Sequence, residues 1–352
     1  MVRSSLLFVY GTLMRGHAAA SVLGDAPWEG VTWLDGADLH DAGAYPMACD
    51  GTGAVRGECR RIDPARWLEL DAYEDVPWLY RRERRQLRDG RWAFVYLVSA
   101  AMAVRHPPLP SGIWPRPAPA GIRRLRGVDG CRLGWLLLEQ PQAGGTVVGS
   151  VSAEAEALAC DSDGLCAVDM PIGLPDREPR QCDSEARRLL GPRRASVFSA
   201  PLRPLLVASD HAQACQWSRE LQGRGLSIQS WNLMPRIRDL DRLLQQRPEQ
   251  RPRLHEVHPE LSFRELNGSV PLPFAKKTLE GRACRRGLLE PLFPGAFEDL
   301  RGQLPRQGVA DDDLLDALVL LWSAGRLAAG LALALGDPDA RDGTGLPLRI
   351  QA

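Results

Sequence analysis

Pro107, Pro108, Pro110, Pro115, Pro117 and Pro119 crowd the stretch 106–119, and no other feature constrains this chain so firmly. Proline lacks an amide hydrogen and fixes φ, so such a density excludes helix and central strand and leaves an extended, semi-rigid spacer. At roughly 150 residues per domain, a chain of 352 residues divides here into a domain at 1–105, a Pro-rich linker at 106–123 and a domain at 124–352. No internal repeat relates the two sides, which predicts a fusion of unlike modules.

Hydrophobic residues make up 44% and charged residues 25% of the chain, a globular composition. Lys plus Arg (44) equals Asp plus Glu (44), so no global basic field attracts nucleic acid or an anionic membrane. Lys276 and Lys277 are the only lysines, and the abundance of Arg reads as codon bias of a GC-rich genome. Cys49, Cys59, Cys131, Cys160, Cys166, Cys182, Cys215 and Cys284 form no C-x-x-C pair or zinc spacing, which predicts reduced, buried thiols. The apolar run 6–10 is too short for a signal segment, and 314–335 is interrupted by Asp316 and Arg326, so no membrane span or membrane partner is expected. The expected setting is the cytoplasm of a bacterium.

In the first module the run Leu6-Leu7-Phe8-Val9-Tyr10 predicts a buried strand that stops at Gly11. Asp63-Pro64 predicts a helix start, with the helix running to Tyr73 and Pro77 preventing its continuation. Asp89-Gly90 predicts a hairpin between 78–88 and 91–98. In the second module, strands are expected at 125–129, 135–139, 165–169 and 254–257, with helices at 181–190 and from Asp312 to about Leu335, stopped by Gly336. Strands that end beside acids and lead into helices indicate an α/β sheet.

Tyr10-Gly11-Thr12-Leu13 would let bare backbone amides approach a carboxylate, because Gly11 has no side chain and can take φ > 0. Alone, the four residues also suit an ordinary strand end. Together with Tyr45-Pro46, Gly57-Glu58, the run Leu70-Asp71-Ala72-Tyr73-Glu74-Asp75-Val76-Pro77 and Tyr80-Arg81, they resemble the γ-glutamylcyclotransferase-like superfamily, nearest its γ-glutamylamine cyclotransferase branch, over residues 5–98. The resemblance implies a small β-barrel-like domain that needs no cofactor and acts on a small γ-glutamyl substrate. The substrate's own α-amine attacks the γ-carbonyl, releasing 5-oxoproline and an amine, while one glutamate moves the protons. By resemblance that glutamate is Glu74, Tyr10, Gly11, Thr12 and Leu13 hold the glutamyl end, and Tyr80 closes the pocket. Cys59-Arg60-Arg61 departs from the family's apolar pattern, which implies a different leaving-group side. The competing reading is a binding module that captures such a ligand without turnover and regulates its neighbour.

Asp129, Asp169 and Glu256 each sit at the end of an apolar strand, and Asp312, Asp313 and Asp316 lie in the first turns of the last helix. Carboxylates gathered at strand ends repel unless cations neutralise them, and hard oxygen ligands suit Mg²⁺ or Mn²⁺. Taken singly they read as turn and cap residues. With Arg193-Arg194-Ala195-Ser196, Glu256-Val257-His258-Pro259-Glu260, Lys276-Lys277 and Asp313-Leu314-Leu315-Asp316, they resemble the domain of unknown function family 429, regarded as a predicted nuclease of RNase H-like fold, over residues 124–340. That resemblance implies an α/β domain with a mixed sheet, making the whole chain α+β. It also implies metal-dependent phosphodiester hydrolysis, with Asp129, Asp169, Glu256, Asp312, Asp313 and Asp316 as metal ligands and all but Asp312 as catalytic acids. Arg193, Arg194, Lys276 and Lys277 would contact phosphates of a nucleic acid. An actin-like nucleotide-binding or sugar-kinase domain is the rival, against which no second Gly-rich phosphate loop follows.

Overall fold

The computed structural model describes residues 5–115 and 120–352. The chain separates into two compact units, 1–117 and 118–352. Unit 1 contains β1 (Ser5–Val9), β2 (Trp28–Asp41), β3 (Pro46–Ile62), α1 (Trp67–Tyr73), β4 (Arg81–Gln86), β5 (Trp92–Leu97) and α2 (Ala100–Ala103). The strands form one mixed sheet in the order β2-β3-β1-β5-β4, with β1 antiparallel to β3 and parallel to β5.

The unbroken apolar run of β1 follows from burial of both its faces. Successive side chains point opposite ways, so Leu7 and Val9 join Met47, Ile62 and Leu70 in one core, while Phe8 joins Leu34, Val55 and Leu97 in another. Asp63 caps as expected, its Oδ1 accepting from Ala65 N at 2.9 Å, although the first turn, Pro64–Arg66, is a 3₁₀ helix and α1 proper starts at Trp67. At the hairpin turn Gly90 takes φ 85° and Asp89 Oδ1 accepts from Arg91 N. Just past β4, Arg88 N donates to Trp33 O of β2 at 2.9 Å, drawing the two edge strands together. The sheet is therefore curled and joined at its edges by local contacts, without a continuous closing ladder.

The spacer is shorter than its proline count suggests. Asp41 N donates to Pro107 O, Leu109 N to Leu39 O and Arg56 N to Gly112 O, all at 2.8 Å, so residues 107–112 lie along β2 and β3 as part of unit 1. At the other end, Arg123 N already donates to Asp163 O. Of the expected linker, 116–119, with Pro117 and Pro119, lies outside the described residues.

Unit 2 contains β6 (Arg124–Cys131), β7 (Gly134–Pro141), β8 (Val148–Ser152), β9 (Gly164–Val168), α3 (Gln181–Leu190), α4 (His211–Gln222), α5 (Ile228–Gln246), β10 (Leu254–Glu256), α6 (Pro259–Leu266), α7 (Leu279–Leu289), α8 (Ala296–Gln303), α9 (Asp311–Ala328), β11 (Ala334–Leu335) and β12 (Ile350–Gln351). The main sheet runs β10-β9-β6-β7-β8, with β6, β9 and β10 parallel and β7 antiparallel to both neighbours. Alternation along the strands sends Leu125, Leu136 and Leu165 to a core with Leu314, Leu318 and Leu321 of α9. Val128, Trp135 and Val168 face the opposite core, with Ile237, Leu240 and Leu244 of α5.

The last helix ends at Ala328 and not near Leu335. Gly330 takes φ 70° and Leu331 N returns to Arg326 O at 2.8 Å, which frees Ala334–Leu335 to pair with β12. All eight cysteines are free; seven are buried and Cys284 is half-buried. Among the described residues no helix is long and apolar enough to cross a membrane.

Candidate functional site

The end of β1 opens on a cavity of about 490 Å³, and Tyr10, Gly11, Thr12, Leu13, Glu74 and Tyr80 all line it. Gly11 is required by contact and not by its torsion. It is absent from the positive-φ glycines, but a Cβ there would stand 2.5 Å from Pro46 Cγ. Among the described residues the amides of Gly11, Thr12 and Leu13 donate to nothing, so three N–H groups remain for a ligand at the cavity. Downstream, Glu58 Oε2 accepts from Arg15 N at 3.1 Å, tying the loop to β3.

Glu74 follows the last residue of α1, its amide donating to Leu70 O at 3.0 Å. Burial raises its carboxyl to about 7. The Tyr10 and Tyr80 phenols are held well above their ordinary range, first by burial, then by Tyr80 and Glu74 in the case of Tyr10 and by Glu74 and Tyr45 in the case of Tyr80. Tyr10 OH donates to Tyr96 O at 2.6 Å and Tyr80 OH to Pro46 O at 3.2 Å, which fixes both rings. A carboxyl titrating near neutrality can accept a proton and return it.

The second site lies at the carboxyl ends of parallel strands, where open α/β sheets commonly bind ligands. Val128 pairs with Val168, and Val168 with Glu256, so Asp129, Asp169 and Glu256 emerge from adjacent strand ends. They line a cavity of about 280 Å³ with Asp316 of α9, Lys276, His258 and Arg236. Asp129 is pushed far above the usual carboxylate range by burial and then by Asp169 and Asp316. Burial also raises Asp169, to about 6, against the opposing pull of His258 and Lys276. Burial raises Asp316 too, although Lys276 Nζ lies 2.8 Å from its Oδ2. Lys276 stays charged because Asp316, Asp129 and Asp169 outweigh its own burial.

Glu256 is spoken for. Arg180 grips both its oxygens at 2.6 and 2.7 Å, Ile172 N donates to it at 2.8 Å, and the same guanidinium reaches Asp183 at 2.7 Å. Asp313 Oδ2 accepts from Ala310 N at 2.9 Å as a helix cap, and neither it nor Asp312 lines the cavity. The expected six-acid metal set therefore contracts to Asp129, Asp169 and Asp316. Among the described residues no three such groups already form a metal-holding cluster. The donor chemistry nonetheless suits a hard divalent cation: Asp169 and Asp316 both raise Asp129, Asp316 raises Asp169, and the buried Asp316 Oδ1 has no hydrogen-bond partner among the described residues.

The family model for γ-glutamyl cyclotransferase, AIG2-like, matches residues 7–116, and that for proteins of unknown function DUF429 matches 127–341. The chain is 35% identical over 112 positions to a γ-glutamylcyclotransferase-related protein of Vibrio cholerae, covering 31% of this chain and 94% of the relative. The chain belongs to the γ-glutamyl cyclotransferase family in its first domain and to DUF429 in its second. YtfP of Escherichia coli, a γ-glutamylcyclotransferase family protein, is 36% identical over 91 residues, 26% of this chain and 80% of the relative. A crystal structure of an AIG2-like protein from Mus musculus aligns at 28% identity with a TM-score of 0.29, covering 34% of this chain and 99% of the other.

Within the cyclotransferase domain, Cys59, Arg60 and Arg61 do not line the cavity. Arg60 Nε donates to Ala26 O at 2.9 Å, and Cys59 is fully buried. The departure from the family pattern therefore lies outside the residues that line the cavity. Within the DUF429 domain, Arg193 spends its guanidinium on the carbonyls of Leu272 and Pro273, Arg194 and Lys277 are exposed away from the cavity, and Lys276 faces Asp316. Of the four expected phosphate contacts, Lys276 alone reaches the cavity. Tyr45, Tyr73 and Asp75 at the first cavity and His258 at the second stand in the sequence motifs without an assigned role, and Tyr96 and Arg236 stand in none of them. A signal existed for the tyrosines: the chain has five, and all lie between positions 10 and 96.

Proposed function

We propose that the first domain cyclises a γ-glutamyl amide. The substrate's α-nitrogen attacks its γ-carbonyl carbon, the new C–N bond closes 5-oxoproline, the amide C–N bond breaks and the amine departs. Glu74 takes the proton from the attacking nitrogen and delivers one to the leaving nitrogen, while the amides of Gly11, Thr12 and Leu13 receive the glutamyl carboxylate. The observation that carries this reading is the Glu74 carboxyl, raised to about 7, in a cavity lined by three residues whose amides are uncommitted among the described residues. Its test is the full chain incubated with γ-glutamyl amides: 5-oxoproline and free amine should appear in equal amounts, and hydrolysis to glutamate instead would refute it.

For the DUF429 domain we propose an RNase H-like fold and metal-dependent phosphodiester hydrolysis on nucleic acid. Support comes from a mixed sheet whose adjacent strand ends present Asp129 and Asp169 opposite Asp316. These three residues would hold Mg²⁺ or Mn²⁺, which would supply a Lewis acid for the phosphodiester oxygens. Lys276 orients Asp316 and offers positive charge to a phosphate, and His258 stands on the wall beside Asp169. Cutting of single-stranded, branched or hybrid nucleic acid that requires the metal and disappears in Asp129→Asn supports the reading. ATP hydrolysis without cutting would replace it with the actin-like alternative.

A further inference from the structure

Lysine is rare in this chain, and one of its two lysines stands among the acids of the second unit. Lys276 and Lys277 are the only lysines among 44 basic residues, so a lysine here departs from the arginine used elsewhere. The two cations differ in shape: the guanidinium is a planar fork, whereas the ammonium is a compact point charge on a flexible stem. Lys276 Nζ lies 2.8 Å from Asp316 Oδ2 and borders the cavity that Asp129 and Asp169 also line. Lys277 is exposed and lines no part of that cavity.

The backbone delivers Lys276 to this position. Before it, Arg193 donates to the carbonyls of Leu272 and Pro273, and the buried Arg285 donates to Phe274 O at 3.3 Å and to Gly281 O at 3.0 Å. After it, Thr278 N donates to Ala275 O at 3.1 Å, and Thr278 Oγ1 accepts from Gly281 N at 3.0 Å to cap α7. A Cβ on Gly281 would lie 1.8 Å from Ala275 O, so the turn and the helix are in close contact. The main chain is thus held on both sides of Lys276, and its side chain is what remains free to adjust.

The other acids of the lining already have partners. Arg180 grips Glu256 and Arg285 grips Glu260, each through both carboxylate oxygens. Arg236 donates to Cys131 O at 2.5 Å, and its charge acts on Asp313, which does not line the cavity. His258 Nε2 lies 3.3 Å from Ser196 O. Asp129, Asp169 and Asp316 are the acids left for added cations, and carboxylates bind metal in their deprotonated form. Ionised, the three carry three negative charges, which one divalent ion and one ammonium cancel. Two divalent ions beside Lys276 would leave a surplus of positive charge in a buried site, which is costly. Resting on the metal-binding reading of this domain, we propose that Lys276 supplies the positive charge that a second ion would supply, so that the three acids take one divalent cation per chain. The pinned loop that carries Lys276 then sets the metal count of the site.

Titration of the full chain with Mn²⁺ counts the ions, with free Mn²⁺ followed by its electron paramagnetic resonance signal. The parent is compared with Lys276→Ala, which removes the charge, and Lys276→Arg, which keeps it; Asp316→Asn assigns the ion to this cluster. The parent should bind one Mn²⁺ per chain and Asp316→Asn should lose it. Lys276→Ala should bind two, the first about tenfold more tightly than the parent binds its one, and Lys276→Arg should bind one. Two ions in the parent, none in the parent, or one ion of unchanged affinity in Lys276→Ala overturns the proposal. The expected counts without metal-dependent cutting of nucleic acid would uphold the role of Lys276 and refute the nuclease reading instead.

Discussion

A carboxyl that titrates near pH 7 weakens the fold that holds it once it ionises. Burial raises Glu74 from the ordinary 4.5 to about 7. Its protonated form therefore contributes stability that is fully present below about 4.5 and lost as pH rises through 7, a loss of at most about 3 kcal/mol. Glu74→Gln stays neutral and avoids that loss. The variant should match the parent at pH 4 and become more stable than it between pH 5 and 8, by urea unfolding followed at each pH; parallel curves would contradict the burial account. Neighbouring residues mark what the sequence conveyed and what it hid. Glu74 and the Gly11 turn were legible because each sits in a recognisable local pattern. Pro46, the reason Gly11 cannot bear a side chain, was not, because the contact joins positions 35 residues apart.

At the scale of elements, β1, β9, α3 and the β4–β5 hairpin were legible from short apolar runs and turn residues. The long strands β2 and β3 were not, since Gly51 and Gly53 interrupt the apolar alternation of β3. Those glycines answer to tertiary contact: a Cβ on Gly51 would lie 2.1 Å from the Asp38 carboxyl, which itself accepts from Gly53 N. The same logic governs β6 and α9. A Cβ on Gly127 would lie 2.2 Å from Ala317 O and 2.3 Å from Leu321 N, backbone atoms that cannot swing aside. Gly127→Ala should therefore cost at least about 1–3 kcal/mol in denaturant unfolding and displace Asp316 with the helix. Glu256 was legible as a strand-end acid, whereas its partner Arg180 lies 76 residues away. Arg180→Met should leave Glu256 and Asp183 buried without a counter-charge and destabilise the chain by about 3–5 kcal/mol; a neutral outcome would show that both acids take up protons at little cost.

At the scale of the whole molecule, the sequence showed two modules and the acids of each, but not which acids share a cavity. Period-two and helical patterns place residues on faces; they do not say that Asp313 caps its helix while Asp316, one turn on, faces Asp129 and Asp169. If those three carboxylates take a divalent ion, Mn²⁺ or Mg²⁺ at 100 times its dissociation constant should raise stability by about 2.7 kcal/mol. Thermal unfolding of the full chain should show that rise, and Asp316→Asn should blunt it while Asp339→Asn, at an exposed position, does not. An unchanged melting curve across metal concentrations would leave the cluster as a lysine-neutralised structural site. Cyclisation in the first domain depends on one proton carrier, Glu74. Its most direct test is the pH profile of 5-oxoproline formation by the full chain, beside the same profile for Glu74→Gln. The rate should rise through an inflection near 7 in the parent and fall by about 10²- to 10⁴-fold in the variant. An unimpaired variant, or a parent profile flat from pH 5 to 9, would contradict it.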